Sequence, residues 1–180
     1  MRITGGILRG RQVKVPAGII RPAMDRMRES IFAILGDLSG KSFLDIFSGS
    51  GIIALEAASR GASYIEAVEA DPKKREILLE NVKISPIRIN CRFMSAELYV
   101  KRAKRAFDYI FCDPPFPYRY KWELLASIAG SALMENGSLL LLHRPREDFC
   151  DDPSPNLCLK DSREFGRSVV NFYGFFSSKI

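Results

Sequence analysis

The sequence predicts an α/β fold whose mostly parallel β-sheet ends in an antiparallel hairpin. From Ser42 onward, short apolar runs typical of buried strands alternate with helical stretches, which is the order expected of a parallel sheet. The last two extended runs, 157–165 and 168–175, are separated only by Gly166-Arg167, and this spacing indicates a hairpin. An ordinary doubly wound nucleotide-binding fold is the alternative on the same evidence.

The chain before Ser42 begins with a basic arm. Two short extended runs, 3–8 and 11–15, flank Arg9-Gly10 and favour a β-hairpin that ends within the segment rich in proline and glycine at 16–22. We therefore expect an N-terminal basic β-hairpin extension over residues 1–22.

An amphipathic helix is predicted next, over residues 25–38. Its apolar side chains recur at helical spacing, and Arg26 and Arg28 fall largely outside the apolar stripe. The arm precedes an α/β core over 25–180, which begins with this helix. We expect the whole chain, 1–180, to form one domain.

The alternating core is predicted element by element. Strands are expected over 42–47, 64–69, 87–93, 107–112 and 138–142. Helices are expected over 52–60, 71–83, 96–105 and 122–133. Gly61 ends the first of these helices at the C′ position, and Asp71-Pro72 is an N-cap followed by proline at N1.

Charge is distributed unevenly along the chain. The net charge is +6, and residues 1–28 alone hold seven basic residues against one acid, Asp25, so the whole excess lies there. Such an asymmetry favours a polyanionic partner, and a solvated surface without a partner is the plainer alternative.

Other features of the composition exclude several classes of protein. No apolar run approaches the roughly 18 residues of a membrane span, and the first residues lack the apolar stretch of a secretory signal. Four cysteines without Cys-x-x-Cys spacing and a single histidine do not favour a zinc site. We therefore expect a cytoplasmic protein with no membrane and no metal. We also expect a monomer, because no long exposed apolar stripe demands a partner.

The most informative motif is Asp113-Pro114-Pro115-Phe116, which follows a predicted buried strand. An acid at the carboxyl end of such a strand lies where open α/β sheets bind ligands. The prolines fix the backbone and remove two N–H donors, so preceding carbonyls are free to accept hydrogen bonds from an amino group. Phe116 offers a flat face for a planar base. The four residues therefore favour an exocyclic amine as substrate, and a rigid turn is the plainer alternative.

A cofactor site is predicted at the turn after the first strand. Gly49 and Gly51 allow a tight turn and the close approach of a ligand, and Glu69 ends the second strand where an acid accepts hydrogen bonds from ribose hydroxyls. These residues fit either NAD or S-adenosylmethionine. Asp45 before the turn and the Asp113 motif both favour S-adenosylmethionine, because hydride transfer needs no amine-binding proline turn.

A third cofactor contact is expected after the third strand. Ser95 and Ala96 would meet the adenine there, although an N-cap role for Ser95 fits equally well. The predicted cofactor-binding residues are Asp45, Phe47, Ser48, Gly49, Gly51, Glu69, Ala70, Ser95, Ala96 and Asp113.

These motifs together resemble the bacterial small-subunit rRNA guanine-N2 methyltransferases, the RsmD type. The resemblance covers nearly the whole chain. It is carried by the N-terminal basic segment, by Arg21-Pro22 with 25–29, by 45–51, by 55–62, by Glu69 and by 113–116. It implies a Rossmann-like class I S-adenosylmethionine-dependent methyltransferase sheet. Two departures stand out: Ala23-Met24 replaces the usual hydroxyl residue after Arg-Pro, and Ser95 replaces an acid or asparagine.

The resemblance implies N2 methylation of one guanine of 16S rRNA, conventionally numbered 966, in the small ribosomal subunit or its assembly intermediate. Asp113, Pro114, Pro115 and Phe116 would then be catalytic. The arm would bind RNA phosphates through Arg9, Arg11, Arg21, Arg26 and Arg28.

Three rival functions remain open on the sequence. Adenine-N6 methylation of RNA or DNA uses the same turn chemistry, a non-catalytic RNA-binding assembly factor could keep the fold, and an NAD oxidoreductase shares the glycine turn. His143 is expected to be a hydrogen-bonded polar group rather than a catalyst. Tyr120 and Trp122 either line a base pocket or cover the sheet.

Overall fold

The computed structural model describes residues 1–15, 23–149 and 153–176, and these form one β-sheet flanked by helices. The strands are β1 (Ser42–Ile46), β2 (Tyr64–Val68), β3 (Ile89–Arg92), β4 (Tyr109–Cys112), β5 (Leu139–Pro145), β6 (Leu157–Phe165) and β7 (Ser168–Phe175). The helices are α1 (Ala23–Leu35), α2 (Ile52–Ser59), α3 (Arg75–Asn81), α4 (Ala96–Arg102) and α5 (Lys121–Ala129).

The sheet confirms the predicted α/β architecture. Its strand order is β3-β2-β1-β4-β5-β7-β6. Strands β1 to β5 pair in parallel, and β7 pairs antiparallel with both β5 and β6. The order reverses between β1 and β4, which is the position where open α/β sheets leave a crevice for ligands at the carboxyl ends of the strands.

Alternating side chains of the sheet supply cores on both of its faces. On β1, Phe43 packs into a cluster with residues of α1, α2 and α3, whereas Leu44 packs into a cluster with residues of α4 and α5. This is the period-two pattern of a strand that is buried on both faces. Two helical layers therefore fix the sheet whose carboxyl edge carries the candidate site.

Most predicted elements are present with shifted ends. The N-cap role of Asp71 is confirmed, because its side chain accepts a hydrogen bond of 2.9 Å from the Lys73 amide. Strand β5 is longer than predicted and includes His143 and Arg144, because β7 pairs with them through Val170 and Val169. Among the described helices, none is both long and apolar enough to cross a bilayer.

The N-terminal hairpin is short. Residues 1–3 pair antiparallel with residues 10–13 through a bridge between Arg2 and Gln12 and through backbone hydrogen bonds such as that from the Val13 amide to the Met1 carbonyl at 2.8 Å. The predicted extended run at 3–8 does not become a full strand, because residues 5–10 form bends and turns that pack on helix α2. The Ile7 amide donates to the Ser59 carbonyl at 2.8 Å, and the Leu8 amide donates to Ser59 Oγ at 2.8 Å. The predicted end of the hairpin, at 16–22, lies outside the described residues.

Gly6 permits this close approach of the N-terminal segment to α2. Its φ is +73°, and a Cβ there would lie 1.9 Å from the Ser59 carbonyl oxygen. A residue with a side chain could therefore occupy this position only if the segment moved away from the helix.

The side chain of Glu56 on α2 joins the N-terminal segment to α1. It is fully buried, and its Oε1 accepts from the Thr4 amide at 2.8 Å, from Thr4 Oγ1 at 2.9 Å and from Arg28 Nε at 3.2 Å. Arg60 Nη1 donates to Oε2. Two arginines therefore neutralise one buried carboxylate, and Arg28 reaches onward to the Arg2 carbonyl at 2.9 Å and Asp25 at 2.6 Å.

Replacing Glu56 should strongly destabilise the fold. Glu56→Ala removes the buried carboxylate that the Arg28 and Arg60 guanidinium groups share, and we expect a loss of about 3–5 kcal/mol in the free energy of unfolding. Urea denaturation measures this loss. Glu80→Ala is the matched control, because Glu80 pairs with Lys14 of the same N-terminal segment at the surface. We expect the control to lose less than about 1 kcal/mol, and equal losses would contradict the role of Glu56.

Candidate active site

The candidate site lies where the parallel pairing of four strands ends at the same level. Ile46 of β1 is aligned with Val68 of β2 and Cys112 of β4, and Cys112 is aligned with Leu142 of β5. The next residue on each strand is therefore Glu69, Phe47, Asp113 and His143, in the order β2-β1-β4-β5. The parallel register brings these four side chains to one edge of the sheet.

A cleft of about 1370 Å³ opens at this edge. The predicted site residues that line it are Asp45, Phe47, Ser48, Gly49, Glu69, Ala70, Asp113, Pro114, Pro115 and Phe116. The sequence did not point to several other lining residues, among them Met1, Val15, Met27, Tyr118, Arg167 and Ser168. These come from the N-terminal segment, α1, the loop before α5 and the β6–β7 turn.

The turn after β1 is tightly wound. Phe47 has φ +65°, which is unusual for a residue with a side chain, and Gly49 and Gly51 also have positive φ. The Ser48 amide donates to the Val68 carbonyl at 2.9 Å and so fixes the turn against β2. Gly51 does not line the cleft. A Cβ at Gly51 would lie 2.7 Å from Leu78 Cδ1, so this glycine allows α3 to pack beneath the turn.

Glu69 is held rigidly beside this turn. Its Oε2 accepts from the Gly49 amide at 2.8 Å, its Oε1 accepts from the Asp71 amide at 2.8 Å, and Lys74 Nζ lies 3.7 Å from Oε2. Each carboxylate oxygen can accept a second hydrogen bond. The carboxylate is thus oriented in the cleft wall and can still accept hydrogen bonds from ligand hydroxyls.

Asp45 places a second acid in the cleft. Its Oδ2 accepts from Ser48 Oγ at 2.6 Å and from the Ala54 amide at 3.2 Å. Burial raises the pKa of the Asp45 carboxyl to about 7, against the lowering effect of these bonds, and the negative charges of Asp113 and Glu69 raise it further. A positively charged group in the cleft would relieve this repulsion and favour the ionised carboxylate.

The Asp-Pro-Pro-Phe turn forms the opposite wall of the cleft. The Asp113 amide donates to the Ile46 carbonyl at 3.2 Å, and the Tyr118 amide donates to the Pro115 carbonyl at 2.7 Å. Pro114 is buried, and no described residue donates to its carbonyl. Phe116 is 36% exposed. The turn therefore presents a carboxylate, an accepting carbonyl and an aromatic face side by side.

His143 is the neighbour of Asp113 that the sequence did not assign to the site. Its Nδ1 lies 2.8 Å from Asp113 Oδ1, and its ring meets the Phe116 ring edge-on with centroids 5.7 Å apart. The prediction of a hydrogen-bonded polar group is right for Nδ1, whereas Nε2 is buried and has no hydrogen-bond partner among the described residues. The sequence signal that could have placed His143 in the site is its position directly after the apolar run of β5, the strand that pairs with β4.

The predicted adenine contacts lie elsewhere. Ser95 is the N-cap of α4, where its Oγ accepts from the Leu98 amide at 3.2 Å, and Ala96 is buried among apolar residues. Neither residue lines the cleft. Tyr118 does, and it packs edge-on against Phe47 with ring centroids 5.4 Å apart. Tyr120 points outward at 64% exposure, and Trp122 packs against the core between the sheet, α4 and α5.

The five arginines predicted to bind RNA divide into three groups. Arg9, Arg11 and Arg26 are exposed. Arg21 lies outside the described residues. Arg28 is fully buried and bonded to Glu56, so its prediction as a phosphate contact is wrong. The cause is that Arg28 faces α2 and balances a buried carboxylate, which the apolar stripe of α1 did not reveal.

Comparison with known proteins identifies the family. The model of the family described as "Conserved hypothetical protein 95" matches residues 1–174. "Ribosomal RNA small subunit methyltransferase D" of Escherichia coli strain K12 is 35% identical over 179 residues, covering 96% of this chain and 89% of that protein.

Solved structures agree with this match. The Escherichia coli protein yhhF superposes with a TM-score of 0.87 at 27% identity, over 97% of both chains. A more distant structure, SMU.776 complexed with SAH, shares the fold at 17% identity and a TM-score of 0.69, over 86% of this chain and 50% of that one. The resemblance found in the sequence is therefore confirmed. The chain belongs to the Conserved hypothetical protein 95 family and is a methyltransferase of the RsmD type with the class I fold.

Proposed function

We propose that this protein methylates the N2 amine of one guanine in small-subunit rRNA, guanine 966 of 16S rRNA, with S-adenosylmethionine as methyl donor. The observation that carries this proposal is that the Asp113-Pro114 turn and the two acids Asp45 and Glu69 line the same cleft at one edge of the sheet. The name of the relative from Escherichia coli supports rRNA as the substrate, and the distant neighbour complexed with SAH supports the cofactor.

The residues of the cleft fit S-adenosylmethionine. Three carboxylates, Asp45, Glu69 and Asp113, lie close enough for Asp113 and Glu69 to raise the pKa of Asp45. Such a set suits a ligand with a sulfonium and an ammonium group. Glu69 would accept hydrogen bonds from the ribose, Asp45 would face the ammonium, and the turn at Gly49 would allow the ligand to approach the backbone. When bound, the cofactor supplies an electrophilic methyl group.

The Asp-Pro-Pro-Phe turn would prepare the amine of the base. Guanine N2 is a weak nucleophile because its lone pair is delocalised into the ring. The Asp113 carboxylate and the Pro114 carbonyl would each accept one N2 hydrogen, which turns the lone pair toward the methyl group and stabilises the developing positive charge. Phe116 would stack on the base once the base has left its helix or loop.

The RNA would be bound by basic residues that extend away from the cleft. Met1 and Val15, at the two ends of the described N-terminal segment, line the cleft, and the segment carries exposed Arg9 and Arg11 between them. Exposed Arg26 adjoins Met27, which also lines the cleft. These arginines would contact phosphates, which fix the position of the RNA without reading its sequence.

Methyl transfer to small-subunit particles that lack the modification tests the proposal. Labelled S-adenosylmethionine should give label in N2-methylguanosine at one site after digestion to nucleosides. Asp113→Ala should lose at least about 100-fold in turnover, because it removes one of the two acceptors for the amine. The same variant should bind the cofactor nearly as well as the wild type, as measured by calorimetry.

Each other outcome of this assay has a defined meaning. Label in N6-methyladenosine would keep the cofactor but contradict guanine as the substrate. Bound cofactor with no label in any particle would favour an assembly factor, and turnover by Asp113→Ala at the wild-type rate would remove Asp113 from the mechanism.

The affinity for S-adenosylmethionine should rise with pH through the titration of Asp45. The pKa of this carboxyl is about 7 in the free protein, so below pH 7 the group must lose a proton before it can face a cation. We expect the dissociation constant to fall about five- to ten-fold between pH 6 and pH 7.5. Titration calorimetry measures this change. Asp45→Asn should bind more weakly and lose the pH dependence, and an unchanged slope in this variant would contradict the assignment.

RNA binding should weaken with salt, and the arm should account for part of the slope. Each lost phosphate contact lowers the slope of log affinity against log salt by about 0.7 to 0.9, so Arg9→Ala/Arg11→Ala should lower it by up to about twice that amount. Arg88→Ala/Lys104→Ala is the matched control. It removes the same charge from exposed residues that precede β3 and β4, at the opposite edge of the sheet. Equal slopes for both variants would exclude the arm as a phosphate-binding surface.

A further inference from the structure

His143 borders the cleft, yet the mechanism proposed above does not use it. It follows Leu142, which is aligned with Cys112, so it lies directly beside Asp113 at the sheet edge. Its Nδ1 is 2.8 Å from Asp113 Oδ1, and its side chain is 8% exposed. We infer that His143 is a positioning residue, which donates its Nδ1–H to Asp113 Oδ1 and leaves Oδ2 to accept the amine of the base. This inference rests on the proposed function.

The surroundings of the ring determine its protonation state. A carboxylate oxygen only accepts hydrogen bonds, so the proton of the imidazole lies on Nδ1. Nε2 is buried and has no hydrogen-bond partner among the described residues. A proton on Nε2 would create a buried N–H donor without an acceptor among the described residues, which is costly. We therefore infer that the imidazole proton lies on Nδ1 and that Nε2 is bare.

A neutral donor suits the chemistry of the turn. A protonated imidazole would form an ion pair with Asp113 and would compete with the developing positive charge on the amine. The neutral ring fixes the orientation of the carboxylate and leaves its negative charge for the substrate.

Asp113 needs such a partner because little else fixes its side chain. Its amide is bound to the Ile46 carbonyl, but His143 is the one described side chain that donates to its carboxylate. The carboxylate is 27% exposed and feels the negative charge of Asp45, so it would otherwise be free to turn toward water. The Phe116 ring meets the same imidazole edge-on, so His143 contacts both the aromatic ring and the carboxylate of the turn.

Three substitutions at this position separate positioning from packing. His143→Asn keeps an N–H donor near the place of Nδ1, His143→Gln moves its amide toward the place of Nε2, and His143→Phe keeps an aromatic ring without any donor. We expect His143→Phe and His143→Gln to lower kcat about 10- to 100-fold, the range expected for a hydrogen bond to a charged group. The dissociation constant for S-adenosylmethionine should change less than about two-fold in both. His143→Asn should recover most of the lost rate. A packing role predicts the reverse order, in which phenylalanine is tolerated and the smaller asparagine is not.

The protonation state can be measured without any turnover. His143 is the only histidine of the chain, so nitrogen-15 labelling of histidine gives one imidazole in the NMR spectrum. We expect the neutral form with Nδ1 protonated, and we expect Asp113→Ala to shift the Nδ1 resonance. Protonated Nε2 would overturn the inference, as would wild-type kcat in His143→Phe. Failure of the wild-type protein to methylate guanine would instead overturn the proposed function, and the labelled imidazole would still report whether His143 pairs with Asp113.

Discussion

The parallel register of four neighbouring strands is the constraint on which the site depends. Because the parallel pairing of β2, β1, β4 and β5 ends at one level, Glu69, Phe47, Asp113 and His143 meet although they are far apart in sequence. A shift of one residue on any strand would turn its side chain to the opposite face of the sheet. Burial of the sheet under helices on both faces makes such a shift costly, so the apolar core fixes the geometry of a polar cleft.

The N-terminal segment depends on a second buried interaction, at Glu56. Arg28 lines the cleft, but its guanidinium is used to neutralise Glu56 and to bind the Arg2 carbonyl. The same carboxylate binds Thr4 and Arg60, so the basic segment, α1 and α2 are fixed together beside the cleft. Part of the N-terminal positive charge therefore stabilises the fold, and Arg9, Arg11 and Arg26 remain exposed.

Much of this arrangement could be predicted from the sequence because it follows from local chemistry. The apolar runs predicted the strands, the hairpin at Gly166-Arg167 predicted the antiparallel end, and the acids at strand ends predicted the cleft. The rest depends on contacts between distant segments. Ser59 accepts from the amides of Ile7 and Leu8, which holds this part of the N-terminal segment on α2, and Glu56 draws Arg28 inward. The place of His143 required the pairing of β5 with β4, which no single segment encodes.

The acids of the cleft and the exposed arginines Arg9, Arg11 and Arg26 form separate groups, because none of these three arginines lines the cleft. Acids at the ends of β1, β2 and β4 line the cleft and raise the pKa of Asp45, a field that suits a compact cation. Exposed Arg9 and Arg11 lie on the N-terminal segment, which borders the cleft through Met1 and Val15 and packs on α2, and their field suits a polyanion. A single mixed patch would attract neither partner strongly, because nearby opposite charges cancel at the range of a Debye length, about 8–10 Å. In the proposed function, the separation of the two fields would allow one small sheet edge to bind a cationic cofactor while the adjoining surface binds RNA.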